Sequence, residues 1–150
     1  MFETSKIVFS PRVRKSPYFN STIKYGAKAF SVYNHMYMPV SYDGVVEDYT
    51  NLLNGVQLWD VGVERQVQIK GPDAEAFAQF LTPRDIKKCP IGQAMYTPLT
   101  DFKGNLINDP VMLRIAKDCY WFSVSDGDLL LWAQGIAAGY KFDVDVDEPD

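Results

Sequence analysis

Residues 92–114 read GQAMYTPLTDFKGNLINDPVMLR, and this stretch decides the fold because it predicts a β-hairpin. Asp101 and Gly104 occupy the first and last positions of the tetrapeptide DFKG, where a type I turn favours these residue types. Gly104 also adopts a left-handed conformation at little cost, as a turn with a bulge requires. We therefore expect two antiparallel strands joined at residues 101–104.

The turn sets the register of the two strands. The predicted cross-strand pairs are Leu99 with Ile107, Thr97 with Asp109, and Met95 with Val111. Because side chains alternate along a strand, one face of the second strand carries five residues. These are Ile107, Asp109, Val111, Leu113 and Ile115. Four of the five are apolar, so this face is predicted to turn toward the core with one carboxylate on it.

Asp109 is the unusual member of that face. An ionised carboxylate among apolar side chains is costly unless it is paired or opens into a cavity. Pro110 holds Asp109 in an extended conformation and removes one ladder donor, which indicates a strand edge or a bulge. Two interpretations stay open from the residues alone. The carboxylate accepts bonds from a nearby Arg or backbone N–H, or it lies at the floor of a ligand pocket.

Tyr96 and Met36 are weaker candidates for a site. Tyr96 adjoins the Thr97–Asp109 pair but points to the opposite face in this register, and a slip of one residue would reverse that. A half-buried sheet tyrosine explains Tyr96 equally well. Met36 lies in a segment rich in Met and Tyr, where Met more often fills a core than contacts a ligand.

The elements around the hairpin predict the fold class. They are a strand at 65–71 with Val67 and Ile69 inward, a helix after Pro72, a strand at 119–125, a helix LLLWAQGIAA and a strand from Tyr140. Strand, helix, antiparallel strands, helix and strand make the split β-α-β-β-α-β arrangement. The expected fold is therefore α+β, with a ferredoxin-like antiparallel sheet and its helices on one face.

The first part of the chain gives three further predictions. Residues 1–19, interrupted by two prolines, are expected to form an irregular N-terminal arm before a lobe that covers residues 20–150. A helix VVEDYTNLLN is predicted between Gly44 and Gly55, and the segment VQLWDV at 56–61 is predicted as a short strand. The inner face of that helix is expected to carry Val45, Tyr49, Leu52 and Leu53.

Composition excludes several classes of function. The 150 residues are 47% hydrophobic and 23% charged, which is ordinary for a globular domain. A formal charge of −4 argues against a nucleic-acid partner. No apolar run is long enough for a membrane span or a signal peptide, so we expect a cytoplasmic protein without a membrane partner. Cys89, Cys119 and the single His35 match no zinc spacing, so no metal is expected.

Six strings, in order and spacing, resemble the N-terminal part of the folate-dependent aminomethyltransferases, the T-protein of the glycine cleavage system and its relatives. The strings are MPV with Tyr42 (38–42), LWDV (58–61), IKGPDA (69–74), LTPRD (81–85), YTPL (96–99) and GNLIND (104–109). The resemblance covers about residues 17–147 and implies the folate-binding domain of that family. Family members run to more than twice this length, so the C-terminal half of the same fold is expected as a missing partner.

Within the family, the detail is most similar to the dimethylsulfoniopropionate demethylases. The strings are YNHM (33–36), WDVGVERQV (59–67), NLINDPV (105–111) and GYKFDV (139–144). Typical T-proteins have an acidic pair at the positions that match Asn108 and Asp109. This chain resembles them at Asp109 only, because Asn108 replaces the first acid. The resemblance assigns the key catalytic carboxylate to Asp109. The residues expected to contact substrate or folate are Tyr96, Thr97, Asn108 and Met36, which lie within the matching strings.

The resemblance implies an enzyme that transfers a one-carbon unit to tetrahydrofolate. For a demethylase, a sulfonium methyl passes to a folate nitrogen and leaves a thioether acid, so the partners are a small-molecule substrate and folate. The alternatives are an aminomethyltransferase acting on a lipoyl-bound aminomethyl group and another folate-linked demethylase. From a different class, a non-enzymatic folate-binding assembly factor for iron–sulfur proteins also shares the fold.

Overall fold

The structure is a computed structural model that describes residues 10–149. It divides the chain into two compact units, one ending at Val63 and the other beginning at Glu64. The lobe that we predicted over residues 20–150 therefore spans both units.

Within its described residues, the first unit contains three strands and two helices. They are β1 (Arg14–Lys15), α1 (Phe19–Lys24), β2 (Ala29–Tyr33), β3 (Met36–Ser41) and α2 (Val45–Asn54). β3 lies between the other two strands, parallel to β1 and antiparallel to β2. Asn34 and His35 join β2 to β3 with φ values of 49° and 62°, and a type I′ hairpin turn requires positive φ at both positions.

Residues 10–19 contain more regular structure than the irregular arm that we predicted. The backbone N–H of Arg14 donates to the carbonyl of His35 at 2.8 Å, which adds β1 to the sheet. Phe19 begins α1 and is buried. Strand pairing and an aromatic anchor thus organise this segment despite its prolines. Residues 1–9 of the predicted arm lie outside the described residues.

The predicted helix forms as α2, but its predicted inner face is not buried. No residue of α2 is buried, and Val45 and Leu53 are 82% and 64% exposed. Residues 56–61 form no strand, so that prediction was wrong. Helical spacing determines which side chains share a face, but only a packing partner removes that face from water.

The second unit contains the core of the fold. Its elements are β4 (Arg65–Lys70), α3 (Ala74–Phe80), a short 3₁₀ helix (Ile86–Lys88), β5 (Ala94–Tyr96), β6 (Leu99–Thr100), β7 (Leu106–Asn108), β8 (Val111–Ala116), β9 (Cys119–Val124), α4 (Leu129–Tyr140) and β10 (Asp145–Asp147). The main sheet has the order β10-β4-β9-β8-β5, and every neighbouring pair is antiparallel. The order of β4, α3, β8, β9, α4 and β10 along the chain confirms the split β-α-β-β-α-β prediction, with β5 added at one edge.

α3 and α4 pack on one face of this sheet. Val67 and Ile69 of β4 point into the core, as their alternation predicted. The same face receives Met112 from β8 and Phe122 from β9, and Phe77 of α3 covers them. The opposite face carries the alternate residues of each strand, which are half-buried or exposed apart from the buried Cys119.

The central hairpin forms, but its register differs from the prediction by one residue. The turn is as predicted, with the Gly104 N–H donating to the Asp101 carbonyl at 3.1 Å and Gly104 at a φ of 85°. A register shift between Leu99 and Thr100 then places Asn108, not Ile107, opposite Leu99. The remaining pairs follow the shift, since Met95 lies opposite Met112 and Tyr96 opposite Val111. A slip of one residue exchanges the two faces of a strand relative to its partner.

Candidate functional site

Asp109 lies on the sheet face that points away from α3 and α4. It is exposed, and so are three aliphatic side chains of its face, with Ile107, Val111 and Ile115 at 38%, 43% and 42% exposure, whereas Leu113 is half-buried. Asp109 therefore shares its face with apolar side chains, as predicted, but the prediction that this face turns toward the core was wrong. Asn108 and Met112 occupy the buried positions instead, because the shift in register turns them inward.

Tyr96 lies on the same side of the sheet as Asp109. Its hydroxyl is 3.5 Å from Asp109 Oδ2, and its ring is half exposed. We predicted that Tyr96 points to the other face, and the slip in register reverses that orientation. The phenol and the carboxylate therefore form one polar group beside the aliphatic side chains of β7 and β8.

Ser125 is a third member of this group that the sequence analysis missed. Its hydroxyl lies 2.6 Å from Asp109 Oδ1 and 3.2 Å from Asn108 Oδ1. The single hydroxyl proton can serve only one acceptor, and the shorter contact to the carboxylate is the charge-assisted one. Pairing β8 with β9 around the turn at 117–118 would have placed Ser125 near Asp109, since Val111 pairs with Ser123.

Asn108 holds the Ser125 backbone in place. The buried side-chain amide donates to the Ser125 carbonyl at 3.0 Å and accepts from the Ser125 N–H at 3.2 Å. An amide can satisfy both backbone groups because it carries a donor and an acceptor. The structure therefore gives Asn108 the role of fixing the residue that contacts Asp109.

Thr97 and Met36 are the other two predicted contact residues. Thr97 is fully buried, and its hydroxyl donates to the Met95 carbonyl at 2.9 Å rather than reaching the open face. Met36 is half-buried in β3 of the first unit. The structure thus brings Tyr96, Asn108, Asp109 and Ser125 together.

The open face continues from Asp109 as a row of polar and aromatic side chains. Ser123 donates to Glu64 Oε2 and accepts from Gln66 Nε2, both at 2.9 Å. The Trp121 indole donates to Gln68 Oε1 at 2.9 Å. Among the described residues, Gln66 Oε1 is buried and has no hydrogen-bond partner. The row is therefore tied together by hydrogen bonds between neighbouring strands, and the Gln66 oxygen is covered by the protein.

The cavity of the second unit lies apart from Asp109. A shallow cavity of ≈ 110 Å³ is lined by Phe80, Phe102 and Trp132 on the helix side and does not include Asp109. Both cysteines are buried, and burial raises the pKa of the Cys119 thiol. Residues 10–149 contain no cluster of metal-binding side chains, and none of their helices is long and apolar enough to span a bilayer.

Comparison with known proteins identifies the family. A model of the GCVT N-terminal domain matches residues 18–149. The dimethylsulfoniopropionate demethylase DmdA of Ruegeria pomeroyi is 43% identical over 141 residues, which are 94% of this chain and 39% of that protein. An aminomethyltransferase of Bdellovibrio bacteriovorus is 33% identical over 106 residues, 71% of this chain and 29% of that protein. The crystal structure of aminomethyltransferase T of the glycine cleavage system from Bartonella henselae shares the fold, with a TM-score of 0.72, 21% identity, and coverage of 91% of this chain and 38% of that one.

The chain belongs to the GCVT N-terminal domain family, and its relatives include a demethylase and aminomethyltransferases. This confirms the resemblance seen in the six strings. The chain spans less than two fifths of the length of these relatives.

Proposed function

We propose that this chain supplies the carboxylate of a tetrahydrofolate-dependent methyl-transfer site that demethylates dimethylsulfoniopropionate. One observation carries the proposal: Asp109 stands on an apolar sheet face, with its two oxygens contacted by Tyr96 and Ser125. The identity of 43% to a demethylase of this substrate supports it.

Asp109 is suited to hold a sulfonium substrate. A sulfonium carries a fixed positive charge, and a carboxylate attracts it more strongly when apolar groups exclude water from the pair. Ile107 and Val111 flank Asp109 on the open face, and a ligand that covers them would displace water from the pair. Contacts from Tyr96 and Ser125 hold the carboxylate without neutralising its charge. The site can therefore align a cation for attack by a second reactant.

The same carboxylate can also serve the reduced pterin of tetrahydrofolate. A pterin edge carries N–H donors, and the exposed Asp109 carboxylate can accept from them. When bound, the folate supplies the amine nitrogen that receives the methyl group. In the overall transfer the C–S bond breaks with its electron pair going to sulfur and a C–N bond forms. Asp109 is placed to accept or orient the proton that the nitrogen loses.

The second candidate is transfer of an aminomethyl group, as in the aminomethyltransferases. The support for this second candidate is weaker. The aminomethyltransferases of Bdellovibrio bacteriovorus and Desulfitobacterium hafniense are 33% and 25% identical to this chain, against 43% for the demethylase. In addition, this chain has Asn108 at the position where typical T-proteins have the first acid of an acidic pair. These two observations favour the demethylase reaction.

Activity is tested in a completed enzyme, because this chain covers 39% of the demethylase length. Joining the chain to the part of the Ruegeria protein that follows the matched region provides it. We expect tetrahydrofolate and dimethylsulfoniopropionate to give methyltetrahydrofolate and a thioether acid, detected by mass spectrometry. Asp109→Asn should abolish turnover, whereas Asp145→Asn, which changes an exposed carboxylate on β10, should not. Turnover of an aminomethyl donor alone would favour the second candidate, and full activity of Asp109→Asn would refute the role of Asp109.

A further inference from the structure

The cavity on the helix side of the second unit is walled by aromatic rings. Its volume is ≈ 110 Å³, and Phe80, Phe102 and Trp132 line it. The ring centroid of Phe102 lies 6.2 Å from that of Phe80 and 6.2 Å from that of Trp132, with the ring planes inclined at 62° and 48°. Phe80 and Phe102 are 43% and 64% exposed, so the cavity opens to solvent. The three rings therefore form an open aromatic wall.

Ordered elements of the second unit hold this aromatic cavity in place. The Thr100 N–H donates to the Leu81 carbonyl at 3.2 Å, which ties the hairpin to the end of α3. Leu81 is buried and Thr100 is half-buried, and both line the cavity. Tyr140 packs against two rings of the wall, 4.9 Å from Phe80 and 5.9 Å from Phe102 between ring centroids. The cavity therefore has a preformed shape.

The Asp101 carboxylate gives the aromatic cavity a negative charge. Asp101 lines the cavity, and its carboxylate accepts from the Asn105 side chain at 2.9 Å. It also accepts from the backbone N–H groups of Asn105 and Lys103 at 2.9 and 2.8 Å. The Asn105 side chain and then the backbone donors lower the pKa of Asp101, so the carboxyl is ionised at neutral pH. In the described part of the chain, no Lys or Arg forms an ion pair with it.

Size and charge together define the ligand class. A cavity of about 150 Å³ lined by apolar side chains holds benzene, so a cavity of ≈ 110 Å³ suits a group of about four heavy atoms. Aromatic faces attract cations, and cations whose charge is surrounded by methyl groups are recognised by such walls. We propose that the aromatic cavity binds a methylated onium head group, either trimethylammonium or dimethylsulfonium, with the rings against its methyl groups and Asp101 facing its charge.

Two other ligand classes fit the aromatic cavity less well. An uncharged group of the same size gains the apolar contacts but leaves the Asp101 carboxylate beside it without a counter-charge. A primary ammonium carries the charge but is strongly hydrated, so it loses more on leaving water than a methylated cation does. The methylated cation is the class that uses both the rings and the carboxylate.

This inference does not rest on the proposed function. The aromatic cavity lies on the side of the sheet that carries α3 and α4, whereas Asp109 lies on the opposite face. Binding is therefore measured in the Asp109→Asn variant of the 150-residue chain, in which the other candidate cation site has lost its charge. A failure of either proposal then leaves the other untouched.

Amide NMR spectra of the isotope-labelled variant test the proposal. Choline chloride and trimethylsulfonium chloride are titrated separately, with sodium chloride keeping the ionic strength constant. We expect saturable shifts at residues 80–81, 100–102 and 132. The uncharged analogue of choline, in which carbon replaces nitrogen, should bind about fivefold more weakly, because it lacks the cation–π and carboxylate terms. Saturation by one of the two cations alone would support the site and identify its ligand.

Substitutions in the aromatic cavity provide the second part of the test. Phe102→Leu keeps an apolar side chain without the ring, and Asp101→Asn removes the charge from a turn position that also favours Asn. Each should weaken cation binding about threefold to fivefold. The matched controls are Tyr25→Leu, which removes an exposed ring of the first unit, and Asp145→Asn, which removes an exposed carboxylate of β10. Neither control should change the affinity.

Three results would overturn the proposal. They are the absence of saturable shifts at the cavity residues with either cation, equal affinity for choline and its uncharged analogue, and equal losses in the cavity variants and their controls. The amide spectra also report the fold of each variant, so a loss of binding through unfolding is recognised directly.

Discussion

The Ser125 hydroxyl lies 2.6 Å from Asp109 Oδ1, across the ends of two neighbouring strands. A charge-assisted bond of this length fixes the direction of a carboxylate. We expect Ser125→Ala to lower kcat/KM for demethylation in the completed enzyme by about fivefold, or ~1 kcal/mol for a bond to an exposed group. Steady-state kinetics with dimethylsulfoniopropionate and tetrahydrofolate measure this effect.

Ser123→Ala is the matched control for that prediction. Ser123 presents the same side chain on the same face, but its hydroxyl contacts Glu64 and Gln66 rather than Asp109. Its removal should leave kcat/KM within about twofold of the parent. Equal losses in the two variants would mean that the Ser125 hydroxyl does not position Asp109.

Asn108 allows a test of the acidic pair found in similar T-proteins. In Asn108→Asp, the donor to the Ser125 carbonyl is replaced by a second acceptor in a buried position. We expect a loss of about 1–3 kcal/mol in the free energy of unfolding at neutral pH, the usual cost of an unsatisfied buried group. Urea denaturation at neutral pH measures it.

The pH dependence of Asn108→Asp has a defined sign. Burial raises the pKa of the introduced carboxyl in the folded state, and its protonated form can again donate to the Ser125 carbonyl. The deficit relative to the parent should therefore grow as pH rises from the ordinary pKa of an Asp, about 3.9, to the raised pKa, and stay constant above the raised pKa. A deficit that is constant between pH 4 and pH 8 would contradict this account.

The alternation of apolar residues was sufficient to predict the sheet of the second unit. Val67 and Ile69 of β4 are inward as predicted, because a two-residue period needs no knowledge of distant contacts. The register of the hairpin was not predictable in the same way. The extra residue is Ile107, because the consecutive residues Leu99 and Thr100 pair with Asn108 and Leu106. No glycine marks this bulge, and it exchanges the faces of Asn108 and Asp109.

The candidate site was predictable only in part for a related reason. Asp109 stood out because a carboxylate interrupts an apolar series, but Ser125 reaches it through the pairing of β8 with β9. A serine at a strand end carries no signal of its own in a single sequence. Likewise, the spacing of α2 indicates a face without telling what covers it.

Tyr120 makes the stability of the second unit sensitive to alkaline pH. Burial raises the pKa of Tyr120 to about 12 from its ordinary value of 10.0, with the neighbouring Glu75 carboxylate adding to the rise. Between these two values the unfolded chain loses the phenol proton and the folded chain retains it, so stability should fall as pH rises from 10 to about 12. Tyr120→Phe has no phenol proton to lose, so this pH-dependent change in stability is absent from the variant. The substitution also removes the hydrogen bond from the Tyr120 hydroxyl to Glu75 Oε2.

The expected result is a stability difference between the parent and Tyr120→Phe that is largest at pH 8 and narrows above pH 10. Urea denaturation of both proteins at several pH values gives the difference directly. Other tyrosines and lysines that titrate in this range affect both proteins alike. A difference that does not change with pH would show that Tyr120 ionises equally in the folded and unfolded states.

Alanine substitutions at Gly71 and Gly104 distinguish the cost of backbone strain from the cost of steric crowding. Both have positive φ, at 141° and 85°, so an alanine is strained at either position. A Cβ on Gly71 would lie 2.7 Å from the Asp143 carbonyl oxygen and 3.0 Å from the Val144 Cα, whereas a Cβ on Gly104 would meet nothing within 4 Å.

We expect Gly104→Ala to cost about 1 kcal/mol of unfolding free energy and Gly71→Ala about 2–4 kcal/mol. The larger loss should come with faster hydrogen exchange in β10, because the backbone before that strand must move away. Equal losses in the two variants would mean that strain alone, and not the close approach of β4 to residues 143–144, makes glycine necessary at position 71.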